Sequence, residues 1–214
     1  MQNMLKSPEV PKIIDAVLLA GGRSRRMGSP KGLLNYDGKP WILHQVSELK
    51  KRGNRRILVV VGEHSEAYRS ALAQSPEAIQ IVFNPDFDAP KFTSLQLGLA
   101  GIAADCPDWI WIQPLDTVVP RAEIASILIE KCHKLDEKTL VIRPLYEGKR
   151  GHPVLMRGGF CQTLIELPFD DGSSRLDIQI RKLDKEQVMD VEVPDSSVLL
   201  DFNDPGHWRS FVQT

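Results

Sequence analysis

Apolar and polar positions fall into alternating blocks along this 214-residue chain. "IIDAVLLA" (13–20) and "RRILVVVG" (55–62) are near-continuous apolar runs. A strand covered on both faces of a sheet has that appearance. Between them "PWILHQVSELKKR" (40–52) carries apolar residues at helical spacing and stops at Gly53, a common helix stop. The alternation continues with a helix over "SEAYRSALAQ" (65–74), a strand over "IQIVFNP" (79–85) and a helix over "SLQLGLAGIAA" (94–104). A strand over "WIWIQPLD" (109–116), a helix over "RAEIASILIEKCHK" (121–134) and a strand over "TLVIRPLYE" (139–147) follow. Repeated β-α units predict a mainly parallel sheet with helices on both faces. The pattern is less regular after Gly148. There "RGHPVLMR" (150–157) predicts a short strand, "RLDIQIRKL" (175–183) a helix, "VMDVEVP" (188–194) and "SVLLDF" (197–202) strands, and "PGHWRSFV" (205–212) a closing helix. The expected fold is α/β, a single-domain, Rossmann-like three-layer α/β/α sandwich. It spans 13–214 and follows a flexible tail over 1–12. Trp109 and Trp111 share one strand face and are assigned to packing, and "KKRGNRR" (50–56) to a solvated helix end and turn.

In open α/β sheets the ligand lies beyond the carboxyl ends of the strands. That rule selects "AGGRSRRMGSPK", "NPDFDAPKFTS", "PLDTVVP" and "DFNDP", all loops rich in Gly, Pro or polar residues.

Charge sharpens the picture. The formal net charge is −1, which gives no global case for nucleic acid. Up to Gly62, however, twelve Lys or Arg stand against four acids (Glu9, Asp15, Asp37, Glu48), while the segment after Leu183 is acidic. A basic start and an acidic end could meet at one site, bases on an anion and acids on a metal. Two solvated faces are the plain alternative. Three scattered cysteines without a C-x-x-C suggest neither a disulfide framework nor a zinc site. No apolar run is long enough for a bilayer span, and the first residues lack the apolar core of a signal peptide. The expected compartment is the cytoplasm, with no membrane partner.

The loop after the first strand is the strongest chemical signal. Gly21 and Gly22 let backbone N–H groups approach a ligand closely, and successive N–H groups form an anion nest. Arg23, Arg25, Arg26 and Lys31 crowd cations into nine residues, and an anion is their natural partner. The spacing is neither G-x-x-x-x-G-K-[ST] nor G-x-G-x-x-G.

"LLAGGRSRRMGSPKGLL" resembles the signature L-A-[AG]-G-x-S-x-R-M-G-x-x-K of nucleotidyltransferases with the molybdenum-cofactor cytidylyl/guanylyltransferase-like fold. "NPDFDAPKFTSLQLGL", "PLYEGKRGHPVLM" and "LDFNDPGHW" are similar to further motifs of that family, in the expected order. The resemblance implies attack of an acceptor phosphate oxygen on the α-phosphorus of a nucleoside triphosphate, with release of pyrophosphate. It implies a nucleotide site at Leu19, Ala20, Gly21, Gly22, Arg23, Ser24, Arg26, Lys31, Asn84, Thr93 and Ser94. Lys31, Arg26 and Asp116 are the implied catalytic residues. Mg2+ falls to Asp116 with Asn203 and Asp201, and the acceptor to Gly151, His152 and Pro153. Thr93 and Ser94 also suit the cap of the following helix, and Asp204 the cap of the helix from Pro205. Asp171 and Arg175 fit a further family loop whose glycine is displaced to Gly172. Leu19-Ala20-Gly21-Gly22 looks guanylyl-like, while "TSLQLGL" and "RGHPVL" look cytidylyl-like, so the expected donor is CTP or GTP. The expected acceptor is molybdopterin. The alternatives are a sugar or alcohol phosphate acceptor, or a non-catalytic nucleotide-binding protein. A monomer or weak homo-oligomer is expected.

Overall fold

The computed structural model describes residues 12–86, 88–103, 107–168 and 173–213. Most of the expected tail, together with Cys106, Asp171 and Gly172, lies outside them. Lys12, expected at the end of the tail, is held. Its N–H donates to His133 Nδ1 (3.1 Å) and its ammonium to the Leu135 carbonyl (2.9 Å).

The strands are β1 (Ile14–Ala20), β2 (Asn35–Tyr36), β3 (Lys39–Pro40), β4 (Ile57–Val61), β5 (Ile79–Phe83), β6 (Trp109–Pro114), β7 (Val141–Tyr146), β8 (Lys149–Arg150), β9 (Val154–Arg157) and β10 (Val188–Glu192). The helices are α1 (Trp41–Lys51), α2 (Ser65–Leu72), α3 (Lys91–Ala103), α4 (Ala122–Lys134), α5 (Gly158–Ile165), α6 (Leu176–Arg181) and α7 (Pro205–Val212). The main sheet runs β10-β7-β9-β6-β1-β4-β5, with β8 beside β7. β1 is parallel to β4 and β6, β4 to β5, and β7 to β10; β9 is antiparallel to β6 and β7.

Side chains of a strand alternate between faces, and the core divides accordingly. Ala16, Leu18, Val59, Val61, Trp109 and Trp111 join α1, α2, α4 and α7 in one cluster. Val17, Leu58, Val60, Ile110 and Ile112 join α3, α5 and α6 in the other. The three-layer sandwich follows, and the two tryptophans pack as expected.

Three local expectations are corrected. "SVLLDF" is not a strand; Ser196–Leu199 forms a 3-10 turn, because the Asp195 carboxylate accepts from Ser197 N–H (2.6 Å) and starts it. Thr93 and Ser94 do not cap α3, since the helix begins at Lys91 and both lie in its first turn. The basic run at 50–56 is not simply solvated. Arg55 and Arg56 both donate to the fully buried Asp15 carboxylate, at 2.7–3.1 Å, and Arg52 donates to Glu48 and to the Pro120 carbonyl.

Asp15 makes stability pH-dependent. Burial pushes its carboxyl upward, but the hydrogen bonds and charges of Arg55 and Arg56 together outweigh that and hold it below the ordinary 3.8. A depressed folded value means the contribution is complete above the unfolded value and is lost as pH falls through the folded one. Urea denaturation of the wild type should therefore show stability falling below about pH 4. Asp15→Asn should be less stable at pH 7, by up to about 3–5 kcal/mol for a broken buried pair, and should show a shallower acid slope. An equal slope in both proteins refutes the assignment.

Candidate active site

β1 ends at Ala20, and the chain crosses the sheet edge at Gly21 and Gly22. A Cβ on Gly21 would lie 2.7 Å from Ser94 Oγ, so any side chain there would displace the Ser94 hydroxyl from Asn84. Ser24 adopts the left-handed conformation (φ 51°) and opens a 3-10 turn over Arg25–Met27 that closes at the left-handed Gly28. Met27 is buried and anchors the turn. Ser24 Oγ accepts from Lys31 N–H (3.1 Å), and the buried Tyr68 hydroxyl accepts from Gly32 N–H (3.1 Å). The loop is thus pinned from its own start and from α2.

Lys31 is pointed across the sheet edge. Its ammonium donates to Asp116 Oδ2 (3.1 Å) and Asn203 Oδ1 (3.4 Å). Arg26 Nη2 reaches the same Asn203 oxygen at 3.5 Å. Asn203 Nδ2 donates to Asp201 Oδ2 (2.8 Å). The loop after β6 and the segment between the 196–199 turn and α7 converge here through backbone contacts. Phe202 N–H donates to the Asp116 carbonyl (2.8 Å), and Thr117 forms a β-bridge with Asp201. Trp111 Nε1 donates to Gln113 Oε1 (3.0 Å), Gln113 Nε2 to Thr117 Oγ1 (2.6 Å), and Thr117 Oγ1 to the Pro114 carbonyl (2.9 Å). This buried relay fixes the loop that carries Asp116. Phe202 itself points inward, where it meets Trp41, Trp208 and Phe211 with ring centroids 4.6–5.4 Å apart. Its neighbours Asp201 and Asn203 therefore face outward. Asp204 accepts from Gly206 and His207 N–H and caps α7, as expected.

These groups border a cleft of about 830 Å³. Leu19, Ala20, Gly21, Gly22, Arg23, Ser24, Arg26, Lys31, Asn84, Ser94, Asp116, Asp201, Asn203, Gly151 and His152 all line it. Asn84 Nδ2 donates to Ser94 Oγ (2.9 Å) at its floor. Thr93 and Pro153 are not on its wall; Thr93 is buried, with no partner for its hydroxyl among the described residues. Arg23 is drawn sideways to Glu63 (3.0 Å) and Asp88. Arg175 pairs with Asp177 (3.1 Å) and is likewise absent from the wall.

His152 lines the cleft within electrostatic reach of Asp116 and Asp201. Its N–H donates to the Val198 carbonyl (2.8 Å), and its Nδ1 has no partner among the described residues. Burial pushes its pKa below the usual histidine range, against the opposing pull of Asp116 and Asp201, so the ring is neutral at pH 7. A Cβ on Gly151 would lie 2.3 Å from the Val198 carbonyl oxygen. Gly151→Ala must push the hairpin off the 196–199 turn, and should destabilise by about 1–3 kcal/mol, read as a lower Tm. An unchanged Tm would show that this contact gives way freely.

Sequence reading missed Tyr68, Glu63, Lys91 and Arg150, of which Tyr68, Lys91 and Arg150 line the cleft. Arg150 is the first residue of the stretch "RGHPVL", so its position is a usable signal. Tyr68 sits in an ordinary helical pattern and offered none.

The family described as the MobA-like NTP transferase domain matches residues 16–185. The chain belongs to that family. Among curated relatives, a molybdenum cofactor guanylyltransferase of Vibrio campbellii is 30% identical over 141 residues, 64% of each chain. A probable molybdenum cofactor guanylyltransferase of Pyrococcus horikoshii is 46% identical over 56 residues, 26% of this chain and 29% of that one. The chain thus spans less than two thirds of the length of these relatives. The solved structure of Rv0371c from Mycobacterium tuberculosis superposes with a TM-score of 0.76 at 21% identity, covering 95% of this chain and 99% of that one. The same protein has been solved with manganese, at a TM-score of 0.72 and 21% identity, covering 95% and 99%. These likenesses in structure show the fold. Among the described residues, no helix is long and apolar enough to cross a membrane.

Proposed function

We propose that this chain, as one domain over 13–214, is a nucleotidyltransferase that carries GMP from GTP to the phosphate of molybdopterin. An acceptor phosphate oxygen forms a bond to the α-phosphorus, the bond from that phosphorus to the β-bridging oxygen breaks, and pyrophosphate leaves. One observation carries the reading. Lys31, held at the mouth of a glycine loop, meets Asp116 from the loop after β6 and Asn203 from the segment before α7 in a single cleft. The guanylyltransferase names of the relatives and Leu19-Ala20-Gly21-Gly22 favour GTP over CTP.

The backbone of Gly21, Gly22 and Ser24 cradles the phosphates, with Arg23 and Arg26 on the outer ones. Lys31 neutralises charge that builds at the α-phosphate, the term that dominates such reactions. Asn84 and Ser94 face the base, with Thr93 behind them. His152, between Gly151 and Pro153, serves the acceptor.

The residues present fit a magnesium ion. Oxygens of Asp116 and Asn203 already converge on a cation, the Lys31 ammonium, and Asp201 adds a second carboxylate beside them. Magnesium typically takes one or two carboxylates and completes its shell with water and substrate phosphate. Two carboxylates and an amide leave the shell incomplete, so Asp116, Asp201 and Asn203 would hold the ion together with the nucleotide. When bound, it supplies positive charge to the triphosphate oxygens.

A thermal-shift panel of GTP, CTP, ATP and UTP with magnesium tests the donor, because a ligand that binds only the folded state raises its Tm. Pyrophosphate release with molybdopterin tests the reaction. GTP should give the largest shift. A larger shift with CTP reassigns the base, release only with a sugar or alcohol phosphate reassigns the acceptor, and no release with any acceptor refutes the reading.

A further inference from the structure

The cations of the cleft are unevenly distributed. Arg23, Arg25, Arg26 and Lys31 belong to the opening loop, and Lys91 starts α3. The remaining cation of the lining, Arg150, comes from the strand that leads into Gly151 and His152.

Arg150 is built in from below. It occupies β8, opposite Leu145 of β7. The turn between these strands runs through Glu147 and Gly148, both at positive φ. Arg150 Nε donates to Asp190 Oδ2 (2.9 Å) on β10. The other oxygen of Asp190 is already taken by Arg143, whose Nε and Nη2 each lie 2.8 Å from Oδ1. Two guanidinium groups therefore share one carboxylate, and the trio is net positive. Arg143 is the more buried of the two, with its side chain 14% exposed against 59% for Arg150. Arg143 neutralises Asp190 from the inside, and the surplus charge falls on Arg150. The terminal nitrogens of Arg150 have no partner among the described residues. A guanidinium oriented through Nε presents its outer edge as a two-pronged donor, which matches a phosphate.

We propose that Arg150, oriented by Asp190 and balanced by Arg143, is a binding site for a dianionic phosphate monoester in the wall of the cleft beside Gly151 and His152. This rests on the nucleotidyltransferase reading only for its purpose: the monoester would be the attacking phosphate of the acceptor. Asp190 is a positioning residue and does not touch the ligand.

The test uses phenyl phosphate as the probe, titrated calorimetrically into the full chain loaded with magnesium and the α,β-methylene analogue of GTP. Loss of a charge-assisted, bidentate contact is worth about a tenfold to hundredfold change in affinity. Arg150→Gln should weaken phenyl phosphate by that factor and leave the analogue's affinity unchanged. Arg150→Lys should fall between, having the charge but not the fork. Asp190→Asn should weaken the probe several-fold, and the wild-type rise in pyrophosphate release with acceptor concentration should shift to higher KM in Arg150→Gln. Equal phenyl phosphate affinity in wild type and Arg150→Gln, both folded by Tm, overturns the proposal, as does no saturable binding to the wild type. Absence of pyrophosphate release by the wild type sinks the nucleotidyltransferase reading separately, because the phenyl phosphate comparison is read without turnover.

Discussion

Lys31→Ala gives a folded protein whose pyrophosphate release is about 10²–10³-fold slower. Among the described residues, the ammonium is the one side-chain group that reaches both Asp116 and Asn203, so in the proposed reaction it stands where phosphate charge and metal would meet. The fold should survive, because Lys31 and Asp116 side chains remain 15% and 28% exposed, and water can solvate the carboxylate that is left. The loop keeps its shape through Ser24 Oγ, which accepts from the backbone N–H of residue 31 and not from its side chain. The expected signature is a fall in kcat at near-normal Tm. Near-normal release would remove Lys31 from the chemistry.

The second large effect is expected at Asp116. Asp116→Ala should weaken divalent metal by about tenfold to a hundredfold, as for loss of a charged contact. Asn203→Ala should weaken it less, because an amide oxygen carries no net charge. The measurement is Mn2+ binding in the presence of the nonhydrolysable nucleotide, followed by electron paramagnetic resonance, with the magnesium dependence of turnover beside it. Metal-free nucleotide should bind Asp116→Ala at least as well as wild type, since a carboxylate has been removed from an anion site. Unchanged Mn2+ affinity in Asp116→Ala would place the ion on another carboxylate.

Much of this architecture was legible because burial writes itself into composition. β1, β4 and β6 are covered on both faces, so their sequences are apolar runs that admit few other readings. The opening loop was legible because glycines and cations serve no core and need a ligand to explain them. What escaped depends on contacts distant in sequence. Nothing local to Arg55 and Arg56 says that Asp15, 40 and 41 residues earlier, will be buried beneath them. The short hairpin β2–β3 lacks an apolar alternation, and α5 begins with two glycines, so neither announced itself. Apolar residues at 197–202 predict a strand, yet a single carboxylate at Asp195 redirects the backbone into a 3-10 turn. Arg150 looked like any exposed arginine until Asp190, from a strand 40 residues later, supplied its anchor.

Phe202 has a consequence for how the molecule breathes. It joins Asp201 and Asn203 to a ring cluster formed by Tyr36, Trp41, Trp208 and Phe211. A partly opened state that lifts α7 from this cluster also withdraws Asn203 from Lys31, and Asp201 with it, although the sheet can remain intact. Such sub-global openings set the rate at which amide protons exchange with solvent. Metal and nucleotide, bound at the sheet edge, would suppress them by mass action. Amides of α7 would then exchange more slowly in the loaded protein, although Trp208 and Phe211 lie outside the cleft wall.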